Sequence, residues 1–358
     1  MDFFHRHRDK LAVLGGMAVG ASLFYAVDRY VLPRLNLPSL YSAQLVPRGN
    51  SLSRDAVKER QEYLFSVSMQ TADASVRQLG RKLADTLAKA HHIEEILTDL
   101  KGPSPDKLKL WNDLKVEVVS KLICLGYACS LMALTIRLQT MIILSQLQQN
   151  QKPGSAATTS RDVDRHSDPL FLQVLQFFIQ RSSGRLVELV RSACSDLLDR
   201  VNLQDRIGDS QLSLLCRSAL EKVDARIGDP SVLVVPLLNG GEDDAKHESS
   251  ADPLLSPELK DQLRSLKRSL NSPGARATLR CCAERWLQHF QASVLLEKLG
   301  ARGSLGPGIP LAKLIPAISD GLDGILSSPR VESDLTESIL NCEALTQFAR
   351  QVFFQPPV

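Results

Sequence analysis

One cluster in this chain has residue types and spacing suited to metal or acid/base chemistry: His91-His92-Ile93-Glu94-Glu95, with His91 and Glu95 four positions apart. On a helix that spacing puts an imidazole and a carboxylate on one face. Two ligands do not hold a metal firmly, and no third is visible in the sequence, so the reading taken is a solvated helix face near a helix C-terminus. The chain carries only seven histidines, two of them in the N-terminal flank. It has no phosphate-cradling glycine loop followed by Lys-Ser/Thr, no GxSxG elbow, no HExxH and no Cys/His spacing suited to zinc. No catalytic residue, cofactor or metal is therefore expected, and the function classes left are scaffold, tether and receptor.

The segment Lys107-Leu108-Lys109-Leu110-Trp111-Asn112-Asp113-Leu114-Lys115-Val116 is more informative. At about 100° per residue, Leu108, Trp111, Leu114, Val118, Leu122 and Leu125 share an arc of about 120°, which predicts a core stripe. Lys107 and Lys115 fall inside the same arc, and packing them inward would strand two ammonium groups, so the stripe is expected to surface there. Two readings of Trp111 follow. It is either the centre of an apolar groove with a basic rim that takes a partner helix, or a core-edge aromatic covered by lysine stems.

The elements that must position this segment read as helices throughout. Residues 52–100 form a run almost free of breakers, with Val76, Leu79, Leu83, Leu87 and Ile93 at helical spacing, predicting a long helix with an interruption near Gly80. Lys101-Gly102-Pro103 ends it, and Ser104 caps a second long helix, with Pro105 at its first position, running to about residue 147. Residues 122–136 of that helix are apolar on every side. A second membrane span competes with a core helix there; Lys121 and Arg137 bracket the run too closely, so a core position is expected. Further helices are predicted over about 169–180, 185–202, 210–226, 257–270, 276–299, 311–326 and 332–354. The polar stretch 148–167 and the acidic stretch 242–252 read as loops, and 232–238 is the one strand candidate, with no partner strand. The expected fold class is all-α: an elongated bundle of long helices with a single N-terminal transmembrane helix.

That transmembrane helix is residues 11–27, seventeen uncharged and mainly apolar residues, at the short end of the ~17–25 that a bilayer demands. A secretory signal peptide is the competing reading. The apolar run is long for one, Asp28-Arg29-Tyr30 follows it, and no clean small-x-small cleavage site closes it. The domain plan is then residues 1–10 as a basic lumenal or targeting segment, 11–30 as the anchor, 31–51 as a linker containing Pro33, Pro38 and Pro47, and 52–358 as a cytosolic helical docking domain. A net charge of +3 from 43 basic and 40 acidic residues, interleaved rather than blocked, argues against a nucleic-acid partner. Seven cysteines without a CxxC fall mostly in apolar helical runs, predicting reduced, core-lining thiols in a cytosolic domain.

Trp111, Asp113, Leu114 and Lys115 in a W-x-D-L-K pattern, followed by the long apolar helix, resemble the peroxisomal biogenesis factor 3 (peroxin-3) family. So does Pro310-Leu311-Ala312-Lys313-Leu314-Ile315-Pro316 near the C-terminus. The basic stretch from His5 to Lys10 before a glycine-bearing apolar run resembles that family's targeting and anchor region. The resemblance spans nearly the whole chain. It implies a docking receptor in the peroxisomal membrane, single-pass and mostly facing the cytosol, whose partner is the amphipathic N-terminal helix of peroxin-19, the import receptor for new peroxisomal membrane proteins. Other peroxisome biogenesis proteins are implied as further partners. The family's groove positions carry over to Leu100, Lys107, Trp111, Leu114 and Lys115, and they favour the exposed reading of Trp111. Lys101-Gly102-Pro103 departs from the family's Asn-Arg-Pro. A helix entered and kinked by proline is the expected role of Pro310 and Pro316. The alternative function is an organelle tether or inheritance adaptor for cytoskeletal or autophagy proteins.

Overall fold

A helix apolar on all sides must be wrapped by other helices, and that requirement organises the fold. The computed structural model describes residues 54–103, 106–150, 174–235, 257–300, 304–306, 308–328 and 330–355. The proposed anchor at 11–27, its linker and the loops read at 148–167 and 242–252 lie outside the described residues or almost so. Along the chain come α1 (Arg54–Lys89), α2 (Ile93–Lys101), α3 (Lys107–Asn150) and α4 (Ser183–Leu198), the last entered through a π-helical turn at Phe178–Ser182. Then follow β1 (Arg206–Ile207), α5 (Asp209–Ile227), α6 (Ser231–Val234), α7 (Pro257–Asn271) and α8 (Pro273–His289), which continues through a π turn at Phe290–Leu295. The chain closes with β2 (Ile309–Pro310), α9 (Leu311–Ser327), α10 (Val331–Leu340) and α11 (Glu343–Phe354). The class is all-α. The two-residue strands pair antiparallel, Arg206 with Pro310 and Ile207 with Ile309.

The 44-residue α3 is the hub, and each of the other α-helices above except α6 packs against it. Among the described residues it is the one helix long and apolar enough to cross a membrane, and its apolar stretch is wholly enclosed by protein. The polar groups on α3 are matched rather than stranded. Arg137, 1% exposed, donates from Nε and Nη2 to Asp73 Oδ1 at 3.0 and 2.8 Å, from Nη2 to Leu340 O at 3.0 Å and from Nη1 to Thr346 Oγ1 at 3.1 Å. One guanidinium thereby ties α3 to α1, α10 and α11. Lys121 reaches Asp323 of α9 at 2.7 Å. Close approach of α8 is set by Gly126: a Cβ there would stand 2.8 Å from Trp286 Cε3, and Trp286 stacks on Phe290 with centroids 5.8 Å apart.

Several boundaries differ from expectation. Helix α1 runs through Gly80, whose missing side chain admits Thr336 Cγ2 at 3.0 Å from where a Cβ would be; the interruption falls at residues 90–92 instead. There Arg191 of α4 donates to Ala90 O at 3.3 Å, taking a carbonyl that a continuing helix would have used. The strand expected from residue 232 begins as the helical turn α6, started by Asp229 Oδ1 accepting from Ser231 N at 2.8 Å; an isolated β segment has no partner to satisfy it. The last predicted helix is two, broken at Asn341 and Cys342, where Arg137 takes the carbonyl of Leu340. Pro310 stands at the N-cap of α9. Leu311 N and Ala312 N, donors a helix start leaves free, reach Asp205 O and Leu203 O at 2.9 Å each, and Pro316 lies inside α9. All seven cysteines are free and six are buried; Cys281 is exposed, against the expectation of a core position.

Candidate partner-docking site

The end of α2 and the start of α3 form one corner of the bundle. Apolar residues of α2 recur at Ile93, Ile96, Leu97 and Leu100, the spacing of a single helical face. Gly102 turns the chain out in extended conformation while its N–H closes on Thr98 O and Asp99 O, both at 3.2 Å. At the start of helix α3, Asp106 Oδ1 accepts from Lys109 N at 3.0 Å; the predicted cap at Ser104 and Pro105 lies outside the described residues.

On this corner Trp111 and Leu100 are half-buried and packed against the edge of the core. Leu108 is 69% exposed and Leu97 37%. Lys107 is exposed, as are Lys101 and Lys109, while Asp113 adds one acid on the next turn. The corner thus carries exposed Leu97 and Leu108 and half-buried Leu100 and Trp111 on two helices that pack together, with exposed lysines close by in the chain. Leu108 was expected in the core stripe; it belongs to solvent, because the stripe begins to be covered only at Leu114, which is 2% exposed.

Lys115 departs most from expectation. It is 4% exposed and does not rim a groove. Its Nζ donates to Leu198 O at 3.0 Å and Val201 O at 2.9 Å, carbonyls at and just past the C-terminal end of α4, where the helix dipole also favours a cation. The argument that an inward lysine must be stranded fails because α4 brings two acceptors to it. Burial pulls the Lys115 ammonium below the usual lysine range, and Asp199 and Asp205 partly restore it.

A buried polar knot holds α2 beside α3. His91 Nδ1 meets Glu117 Oε2 at 2.9 Å, and Arg191 of α4 donates to the other oxygen of the same carboxylate. Burial alone would raise the Glu117 pKa, but the hydrogen bonds from His91 and Arg191 outweigh it and hold the carboxyl below its ordinary range. The reading of His91 and Glu95 as one solvated face is corrected: the helix break turns the His91 ring inward, 1% exposed, and the solvated pair is His92 with Glu95 at 3.3 Å. Among the described residues no three His, Cys, Asp or Glu side chains converge as metal ligands would.

Sequence reasoning missed Leu97 as part of the corner, although the i, i+3, i+4, i+7 pattern of α2 carried the signal. It had no means of finding the Lys115 acceptors, which lie more than eighty residues away along the chain.

Fold and corner together define the class: an all-α protein organised around one enclosed helix, with apolar residues left exposed at a corner where two helices meet. No protein-family model matches the sequence. Over nearly its whole length, however, the chain is similar to peroxisomal biogenesis factor 3 of Rattus norvegicus, at 21% identity over 98% of this chain and 95% of the relative. Peroxisomal biogenesis factor 3 of Yarrowia lipolytica is 22% identical over 99% and 98%, and peroxisome biogenesis protein 3-1 of Arabidopsis thaliana 25% over 63% and 62%. The resemblance first seen at Trp111 to Lys115 and at Pro310 to Pro316 thus extends from end to end.

Proposed function

We propose that this chain acts in peroxisome biogenesis as a non-enzymatic, membrane-anchored docking receptor, with the α2–α3 corner receiving the amphipathic N-terminal helix of peroxin-19. Whole-length similarity to proteins named for peroxisome biogenesis supports the biological setting and association with the peroxisomal membrane. The observation that carries the docking reading is Trp111, half-buried with Leu108 standing free one turn before it. A large aromatic held rigid on one side and open on the other suits the anchor of a helix-in-groove contact.

In this reading Trp111, Leu100, Leu97 and Leu108 contact the incoming apolar face, and Lys107 meets acidic residues of the partner. Leu114 and Lys115 act from beneath: Leu114 floors the corner and Lys115 fixes α3 against α4. The residues before 54 supply the anchor, with the helical domain in the cytosol.

Trp111→Ala is expected to leave the melting temperature nearly unchanged and to remove about 2–4 kcal/mol of binding to a peroxin-19 N-terminal peptide, a loss of roughly 30- to 1,000-fold in affinity. Calorimetric binding and thermal melting on one preparation test it. A destabilised variant that still binds normally when folded would overturn the assignment.

A further inference from the structure

Three cysteines that the docking reading does not use meet where α8 passes the break between α10 and α11. Cys281 and Cys282 are neighbours on α8, and Cys342 is the residue before the first turn of α11. The sulfurs of Cys281 and Cys342 are 3.7 Å apart, although the two residues are 61 positions apart in the chain. Cys281 is exposed, whereas Cys342 is 2% exposed and Cys282 fully buried. We propose that Cys281 and Cys342 are a peroxide-responsive thiol pair that closes into a disulfide, covalently joining α8 to the α10–α11 junction.

The surroundings favour that chemistry. Cys342 lies at a helix N-terminus, where backbone N–H groups and the helix dipole stabilise a thiolate. A hydrogen bond from Cys282 holds the Cys342 thiol down to about 5 against the opposing effect of burial, and the backbone of Leu345, the Cys281 thiol and the backbone of Ala344 add to it. Burial pushes up the thiols of Cys124, Cys129, Cys194 and Cys216, which keeps them protonated and inert. One thiol of the pair thus opens to solvent and its neighbour holds negative charge within sulfur contact.

The oxidant is a hydroperoxide. Cys281 gives its proton to solvent and its thiolate attacks the peroxide oxygen, breaking the O–O bond to give a Cys281 sulfenic acid and hydroxide, which takes up that proton as water. The Cys342 thiolate then attacks the sulfenic sulfur and expels hydroxide, forming the S–S bond. For hydrogen peroxide, two thiols are oxidised and two oxygens reduced to water. Closing 3.7 Å to bonding distance, about 2.05 Å, calls for a shift of about 1.7 Å, within reach of side-chain rotation.

The test uses the full chain, reduced, then exposed to hydrogen peroxide, digested with trypsin and read by mass spectrometry. This inference is independent of the docking reading, and so is its readout. The expected product links the Cys281-containing peptide to the Cys342-containing peptide with loss of two hydrogens, disappears with dithiothreitol and is absent in Cys281→Ser. Because Cys281 is exposed, that variant is expected to fold, as its unchanged melting curve before oxidation will show. Wild-type chain should melt at higher temperature after oxidation and Cys281→Ser should not, since the cross-link closes a long loop. A bond between Cys281 and Cys282, a cross-link that survives Cys281→Ser, or sulfinic acid with no cross-link overturns the proposal.

Discussion

Lys115 shows how one side chain changes meaning with its neighbours. As a rim cation it would govern association rate, and its replacement would alter salt dependence. Buried against Leu198 O and Val201 O, it is a clamp between α3 and α4. Lys115→Ala is therefore expected to lower stability by about 1–3 kcal/mol by removing the donor that ties Leu198 O and Val201 O to α3, seen as an earlier denaturant midpoint. Lys107→Ala, on an exposed side chain, should leave the midpoint unmoved. Equal effects of the two would overturn the clamp. Glu117 predicts a pH dependence. Its folded pKa lies below the ordinary 4.5, so the unfolded chain takes up its proton first on acidification. The stability it contributes is then complete above about pH 4.5 and drains away as pH falls through the folded value. Glu117→Gln removes that component. Its unfolding free energy should fall less steeply than wild type as pH drops below about 4.5, and parallel slopes there would contradict the buried knot.

At the scale of elements, stability concentrates where helices approach α3 most closely. Gly126 is such a place. Gly126→Val would drive its side chain into the Trp286 ring, already 2.8 Å from a notional Cβ, and overpacking of this kind is expected to destabilise by about 1–3 kcal/mol. Trp286→Leu in the same chain should recover part of that loss, since the ring is what the new methyls meet. Thermal melting of the two single variants and the double variant measures the coupling; strictly additive losses would mean that the α3–α8 approach is not set by this contact. The junctions obey the same logic. Arg191 at Ala90 O and Arg137 at Leu340 O show that helix ends here are decided by which distant donor claims the last carbonyl.

For the whole molecule, the enclosure of α3 bears on membrane topology. Its apolar residues face other helices on every side, so it has no surface left to offer lipid. A single span at residues 11–27 then predicts that the full chain resists alkaline carbonate extraction while residues 45–358 are soluble alone. Fractionation of both forms checks this. A shortened chain that still partitions with membrane would overturn the single-anchor reading.

The sequence by itself determined the helical class and the core position of residues 122–136, because hydrophobic periodicity and length act locally and are written in neighbouring residues. The resemblance to peroxisomal biogenesis factor 3 was also legible, carried by short motifs at Trp111 to Lys115 and Pro310 to Pro316. Only the tertiary structure decided that Lys115 is buried, that His91 leaves its helix face for Glu117, that Leu108 stays in solvent and that Cys281 meets Cys342. Each of those outcomes depends on a partner between 26 and 86 residues away, or, for Leu108, on where the covering helices stop. A polar or charged group's place in a fold is set by whether an acceptor or counter-charge arrives there in three dimensions, and periodicity along one helix carries no record of that arrival.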